Sequence, residues 1–228
     1  MTNAILRGAQ LNTANLRGAN LHDAHLDHAD LTRADLRGAD LRGADVPYAF
    51  MTSADLRNAK LQGAHLDVTQ ASCIRLDDVD LTGATMFGMN LTGANLTRAE
   101  LRDANLRSAN LRSALLKETK LYRTDLTEAR LQSAKLPGAL LIETTLNKAM
   151  LYRAKFIHAN LLRANLTDAD LTEADLTRAH LEDADLIHAD LTRAILTDAD
   201  LTDADLTGVH GEPASETLAQ LCRRIGSC

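Results

Sequence analysis

The stretch Ala34-Asp35-Leu36-Arg37-Gly38 is followed at once by Ala39-Asp40-Leu41-Arg42-Gly43, and the same five-residue pattern continues in both directions. Its central leucine position recurs from Leu6 to Leu206 in 41 consecutive units, without an insertion or deletion. Leu occupies 36 of these centres, and Ala stands two residues before the centre in 34 of the 41 units. The sequence is therefore one uninterrupted tandem repeat.

A period of five excludes an amphipathic α-helix, because five helical residues turn about 140° beyond a full circle and would scatter the leucines around the axis. An extended chain suits the pattern, since residues two apart point to the same side. Ala and Leu then face inward, the Asp or Asn between them faces outward, and the next two residues bend the chain. The repeat predicts an all-β solenoid whose stacked coils enclose ladders of Leu and Ala.

The Ala-(Asp/Asn)-Leu-X-X units of residues 4–208 resemble the pentapeptide-repeat protein family. The resemblance implies a right-handed quadrilateral parallel β-helix with four units in each coil, and therefore about ten coils. We expect this β-helix to form one domain over residues 1–210, followed by a C-terminal segment over residues 211–228. Because the repeat begins at Ala4, we also expect the first coil to present an open edge.

The C-terminal segment differs from the repeat. The pattern stops at Val209, and Gly211-Glu212-Pro213 is expected to interrupt regular structure. Ser215 to Ile225 predicts a short amphipathic α-helix, whose apolar stripe consists of Leu218, Leu221, Cys222 and Ile225. This helix is expected either to cap the last coil or to form a homodimer with a second copy of the chain, and the sequence leaves both open.

Composition narrows the functional classes. The net charge of −6 argues against direct nucleic-acid binding through a basic surface. The sequence contains no run of 18 apolar residues, so we expect no membrane span. The cysteines Cys73, Cys222 and Cys228 lack the spacing of metal ligands, which favours free thiols and a cytoplasmic location. The unbroken repeat supplies no inserted loop to build a pocket. We therefore expect no enzyme activity, no cofactor and no metal.

Charge is distributed unevenly along the repeat. Residues 97–163 contain 13 Lys or Arg against 6 Asp or Glu, whereas residues 164–208 contain 2 against 12. If residues 20 apart stack, as the family resemblance implies, the acidic side chains gather at the corners of the last coils. They are expected to be solvated, to bind cations, to meet a basic partner or to bond the adjacent backbone. This acidic surface consists of Asp168, Asp170, Asp183, Asp185, Asp190, Asp198, Asp200, Asp203 and Asp205.

A second candidate surface is apolar. Tyr122, Ile142 and Leu162 are spaced by 20 at an outward position, and Leu140 lies beside them. The stacking register predicts that they form an exposed ladder, which we call the apolar ladder. Exposed apolar patches often mark interfaces, although such a ladder can also be surface decoration without a role.

Three functional hypotheses follow. Some members of the resembled family mimic duplex DNA and bind DNA gyrase, protecting it from quinolones or peptide poisons, and the acidic C-terminal coils fit that role. The sequence departs from those members, because Phe stands at a centre only at Phe156, projecting loops are missing and the middle of the chain is basic. The alternatives are a scaffold or regulatory module that holds a protein partner on the apolar ladder, and a purely structural rod.

Overall fold

The computed structural model describes residues 2–214 and 220–222. Within them each repeat unit closes with a tight turn. The amide of Ala39 donates to the carbonyl of Leu36 over 3.0 Å, and Gly38, the second residue between them, has a φ of +66°. Positive φ recurs at every fifth residue from Asn3 to Gly208, and 32 of these positions hold residues other than Gly. The sequence predicted the bend but not its left-handed conformation, because Gly marks so few of these turns.

The coils stack in parallel with a constant register of 20 residues. Outward residues form single-residue bridges with the residue 20 positions later, at every fifth position from Ile5–His25 to Asp190–His210. In a typical contact the amide of Leu36 donates to the carbonyl of Asp55 over 2.8 Å, and the amide of Asp55 donates to the carbonyl of Ala34 over 3.0 Å. Four repeat units therefore make one coil, as the family resemblance implies.

The interior is a continuous column of Leu and Ala. From Leu21 to Leu206 the inward side chains are almost completely buried, so identical small shapes pack above one another along the axis. Four threonines replace Ala in this column and are equally buried. Their hydroxyls donate to carbonyl oxygens 23 residues earlier, over 2.5 Å for Thr144 and 2.7 Å for Thr69, Thr119 and Thr124. A buried hydroxyl is thus tolerated in this column where a backbone carbonyl accepts its hydrogen bond.

The first coil of the described chain is less protected than the others. Ala4, Leu6, Leu11, Leu16 and Ala19 pack against the core but stay partly exposed. Within the described residues no coil stacks on their outer side, and the open edge stays a prediction.

The other end is covered in part by the segment after the repeat. The amide of Arg193 donates to the carbonyl of Glu212 over 2.7 Å, and the amide of Ala214 donates to the carbonyl of Ala194 over 2.8 Å. Residues 220–222 are helical, and Leu221 is fully buried in the hydrophobic core cluster. The predicted stripe residues Leu218 and Ile225 lie outside the described residues.

The cysteines differ from the expectation of free thiols. Cys73 is free and exposed, but Cys222 is disulfide-bonded. A disulfide at Cys222 weakens the argument that cysteine usage points to a reducing compartment. Among the described residues, no helix combines the length and apolar character needed to cross a membrane.

Candidate interaction surfaces

The structure distributes the nine carboxylates of the acidic surface over three corners of neighbouring coils. Asp185 bridges to Asp205 and Asp170 bridges to Asp190. The turn residues follow the same register, since the amide of Asp183 donates to the carbonyl of Thr202, the residue before Asp203, over 3.0 Å. Two of the predicted corners therefore bring carboxylates side by side, whereas at the third Asp200 bridges to His180 and Asp198 pairs with Arg178.

Five of the nine carboxylates have a structural task. Each lies at the outward strand position and accepts a hydrogen bond from the backbone amide two residues later, at 2.8 to 3.0 Å. This local bond fixes the entry to the following turn and explains the Asp or Asn of the repeat. The five residues are Asp170, Asp185, Asp190, Asp200 and Asp205.

Two of these five carboxyls have shifted pKa values. Hydrogen bonds from the side chain and then the backbone of Thr207 hold the pKa of Asp205 below its ordinary value. Burial alone would raise the pKa of Asp190. The hydrogen bonds from the hydroxyl and the amide of Thr192 outweigh this effect, so the net shift of the pKa is downward. Both carboxylates are therefore held ionised by their own turns.

The other four carboxylates are exposed turn residues. Asp183 lies 3.3 Å from the guanidinium of Arg163, and Asp198 lies 3.4 Å from that of Arg178. The side chains of Asp168 and Asp203 make no hydrogen bond or ion pair with another described residue. The side chains of these four point to solvent. Unlike the other five, they accept no hydrogen bond from the backbone of their own turn.

The apolar ladder forms as a stack. The amide of Arg123 donates to the carbonyl of Ile142, and the amide of Glu143 donates to the carbonyl of Leu162, both over 3.0 Å, so Tyr122, Ile142 and Leu162 occupy one turn position in successive coils. Their side chains are half-buried rather than exposed, because each rung covers part of the next. Leu140, also half-buried, lies two residues before Ile142 in the same coil.

The apolar ladder and the acidic surface are continuous. Glu182 follows Leu162 at the same turn position of the next coil, and the amide of Arg163 donates to the carbonyl of Glu182 over 3.0 Å. At the opposite end of the ladder, the guanidinium of Arg102 lies 4.8 Å from the ring centroid of Tyr122, within the range of a cation–π contact. One face of the rod therefore passes from basic through apolar to acidic.

A group of possible metal ligands lies beside this face. Ligand atoms of His180, Glu182 and Asp200 all lie within 4.8 Å of one another. His180 and Asp200 are exposed, and the ring Nδ1 of His180 lies 3.3 Å from Glu182. These ordinary surface contacts account for the group without an ion, and the prediction that the protein holds no metal stays a prediction.

Sequence analysis missed a cluster of exposed aromatic residues. Tyr48, Phe50 and Phe87 are 52%, 50% and 47% exposed. They belong to one corner of neighbouring coils, although their sequence spacing is not a multiple of 20. Comparing whole corners rather than single columns would have found them, because the chain contains only three Tyr and three Phe.

A shallow depression occurs farther along the same side of the rod. It has a volume of about 330 Å³ and is lined by Ser108, Glu128, Arg130, Lys148 and Met150. The hydroxyl of Ser108 donates to the carboxylate of Glu128 over 3.3 Å.

Comparison with known proteins agrees with this architecture. The family model for pentapeptide repeats matches in eight copies, over residues 1–33, 34–67, 74–112, 104–141, 124–161, 149–186 and 174–210. No curated protein matched the sequence.

Two solved structures are similar to this chain. HetL, a pentapeptide repeat protein involved in heterocyst differentiation regulation from the cyanobacterium Nostoc sp. strain PCC 7120, is 38% identical, with 88% of this chain and 91% of HetL covered and a TM-score of 0.63. QnrB1, a plasmid-mediated fluoroquinolone resistance protein, is 20% identical, with 80% and 98% covered and a TM-score of 0.59. The likeness to QnrB1 shows a shared fold.

Proposed function

Because this chain belongs to the pentapeptide-repeat family, we propose that it is a non-catalytic regulatory module that binds a protein partner on the outside of its β-helix. The observation that carries this proposal is the continuous face from Arg102 through the apolar ladder to the acidic surface. The interior is filled by Leu and Ala, so selectivity must come from outward side chains. We place the protein in the cytoplasm, although the disulfide at Cys222 gives that location no support.

The similarity to HetL supports a regulatory role. HetL is 38% identical over most of both chains. Its involvement in differentiation regulation is the reason that we propose a regulatory role for this chain. We propose that the partner presents an apolar stripe between an acidic and a basic region, so that its surface is complementary in charge to this face.

The test is capture of partners from an extract of the source cells with the purified protein. Ile142→Asp combined with Leu162→Asp places two charges in the apolar ladder, and we expect loss of at least about tenfold in captured partner. Met150→Asp, an exposed residue on another side, is the matched control and should capture normally. Capture that the ladder variant leaves unchanged would contradict the ladder as the interface.

A second candidate function is binding of DNA gyrase as a DNA mimic, which the acidic C-terminal coils favour. The test is a gyrase supercoiling assay with and without ciprofloxacin. If the candidate is right, the protein inhibits or protects gyrase at micromolar concentration, and Asp183→Lys with Asp203→Lys abolishes the effect. These two positions are suitable because neither carboxylate makes the hydrogen bond that shapes its turn. No effect of the unmodified protein would exclude this candidate.

We also propose that the C-terminal segment caps the last coil rather than forming a dimer. Full burial of Leu221 in the core cluster supports capping. Light scattering of the chain with and without residues 212–228 is the test. We expect a monomer for the full chain and self-association after truncation, because removing the cap would expose an apolar coil end. A full-length dimer that becomes monomeric on truncation would contradict capping.

A further inference from the structure

One corner of the rod carries an exposed aromatic cluster that lies apart from the face described above. The amide of Tyr48 donates to the carbonyl of Asp67 over 3.1 Å, and the amide of Val68 donates to the carbonyl of Phe87 over 2.8 Å. These bonds place the same turn in three successive coils. Tyr48, Phe50, Val68 and Phe87 therefore lie along one corner of three successive coils, which we call the aromatic corner.

The aromatic corner is held rigidly. The ring of Tyr48 stacks on that of His28, with centroids 5.2 Å apart and planes inclined by 10°. Asp67 accepts a hydrogen bond from the amide of Phe87 over 2.8 Å, which fixes the backbone that carries this ring. Side chains already fixed before binding lose little conformational entropy when a partner docks.

The departure from the repeat extends into the core beneath the aromatic corner. Val46 and Met86 replace the central Leu in the units that carry Tyr48 and Phe87, and Thr69 and Met89 replace the inward Ala after the turns at Val68 and Gly88. All four side chains are buried. Both surfaces of the wall thus differ from the repeat in the same coils, whereas single exposed apolar residues occur on any protein.

The surroundings of the aromatic corner are acidic around Tyr48 and Phe50. Its side of the rod over residues 25–30, 45–50, 65–70 and 85–90 contains no Lys or Arg, and its carboxylates are Asp27, Asp30, Asp45 and Asp67. In the next coil Arg107 stacks beside Phe87, since the amide of Gly88 donates to the carbonyl of Arg107 over 2.9 Å. Arg7 approaches Asp27 to 2.9 Å from the coil below, and His25 approaches Asp45 to 2.9 Å. Farther along the rod the same side becomes basic, with Arg130 and Lys148 lining the depression.

We propose that the aromatic corner is a second docking site, which binds a segment of a partner protein that presents apolar side chains flanked by Lys or Arg. Phe50 and Phe87, about half exposed, contact the apolar residues, and the surrounding aspartates attract the basic ones. The inference rests on the proposed protein-binding function, but it uses a different side of the rod from the apolar ladder.

The probe is the synthetic peptide acetyl-Lys-Arg-Leu-Phe-Arg-Lys-amide, titrated into the full chain and followed by aromatic ¹H–¹³C NMR. We expect saturable shifts of the Tyr48, Phe50 and Phe87 resonances with a Kd of about 1 mM or lower. A peptide with Glu in place of the basic residues, and one with Ser in place of Leu and Phe, should each bind at least about tenfold more weakly.

Variants locate the site on the rod. Phe50→Ser combined with Phe87→Ser should weaken peptide binding at least about tenfold. Met150→Ser removes an exposed apolar side chain farther along the same column, so it is the matched control and should bind normally. Thermal melting of each variant identifies any that has lost its fold, and the single variants Phe50→Ser and Phe87→Ser then replace the double one.

Several results would overturn the inference. They are the absence of saturable shifts, equal binding of the acidic peptide, or unchanged binding by the Phe50 and Phe87 variants. Light scattering that shows a dimer dissociated by the same variants would assign the corner to a second copy of the chain instead. If the peptide fails while partner capture still depends on Ile142 and Leu162, only this inference falls and the proposed function stands.

Discussion

The outward residue and the second turn residue of a unit set the path of the chain. In many units the outward residue is Asp or Asn, whose side chain accepts a hydrogen bond from the amide two residues later, as Asp30 does from Thr32 over 2.9 Å. The second turn residue then adopts positive φ, whether it is Gly or a residue such as Val68 with φ +58°. The left-handed conformation costs an L-residue about 1–2 kcal/mol. The unfavourable local conformations of this fold therefore lie in its turns rather than in its core.

Gly63 allows this cost to be measured. It has φ +64°, and a Cβ added there meets no atom within 4 Å. We expect Gly63→Val to lower the free energy of unfolding by about 1 kcal/mol, because backbone strain exceeds the gain from a stiffer unfolded chain. Urea denaturation is the measurement. Gly63→Asn is the control and should cost clearly less, since Asn tolerates this conformation; an equal loss would show that strain is not the cause.

At the scale of the element, a coil is stabilised mainly by the coils on its two sides. Interior leucines such as Leu126 are fully buried between two neighbours, whereas Leu11 in the first coil is only partly buried. A solenoid is stabilised by such nearest-neighbour contacts. The same substitution should therefore have different costs in different coils.

We predict that Leu126→Ala lowers the free energy of unfolding by about 3 kcal/mol, because it leaves a cavity in a column with no room to collapse. Leu11→Ala should cost less than half as much, since its side chain already meets solvent. Chemical denaturation of both variants gives the comparison. Equal losses would mean that the first coil is as well packed as the interior.

At the scale of the whole molecule, the charged surface is organised along the stack. Arginines pair with carboxylates within a coil, as Arg37 does with Asp35 through two hydrogen bonds of 2.7 and 2.5 Å. Others pair between coils, as Arg98 does with Asp78 and Arg123 with Asp103. The pKa values of all three carboxyls are lowered, chiefly by the side-chain hydrogen bond from the arginine.

This organisation predicts loss of stability in acid. The side-chain hydrogen bond from Arg37 lowers the pKa of Asp35 to about 2, while the unfolded chain binds that proton near pH 3.9. The stabilisation is therefore complete above about pH 4 and disappears as the pH falls through about 2. The urea concentration at the midpoint of unfolding, measured from pH 7 to pH 2, should decrease between about pH 4 and about pH 2. Arg37→Gln should raise the pKa of Asp35, observed by NMR of its carboxyl carbon; an unchanged pKa would contradict the assigned cause.

Sequence reasoning was reliable where the physics is periodic. Every unit must bury its Leu and Ala, so the solenoid and its inward ladders follow from the spacing alone, and the family resemblance supplied four units per coil. The left-handed turns escaped prediction, because residues as different as Arg, Glu and Val occupy them. The stack of neighbouring coils forces that backbone on the turn regardless of local preference.

The sequence by itself determined which side chains point outward and that Asp183, Asp185, Asp203 and Asp205 meet once coils hold 20 residues. Only the tertiary structure decided which of them are committed to turns, that the apolar ladder is half-buried and runs into the acidic surface, and that the residues of the aromatic corner share one corner of the rod. The reason is geometric: a repeat fixes the direction of each side chain within its own unit, whereas exposure, pairing and continuity depend on the units stacked above and below it.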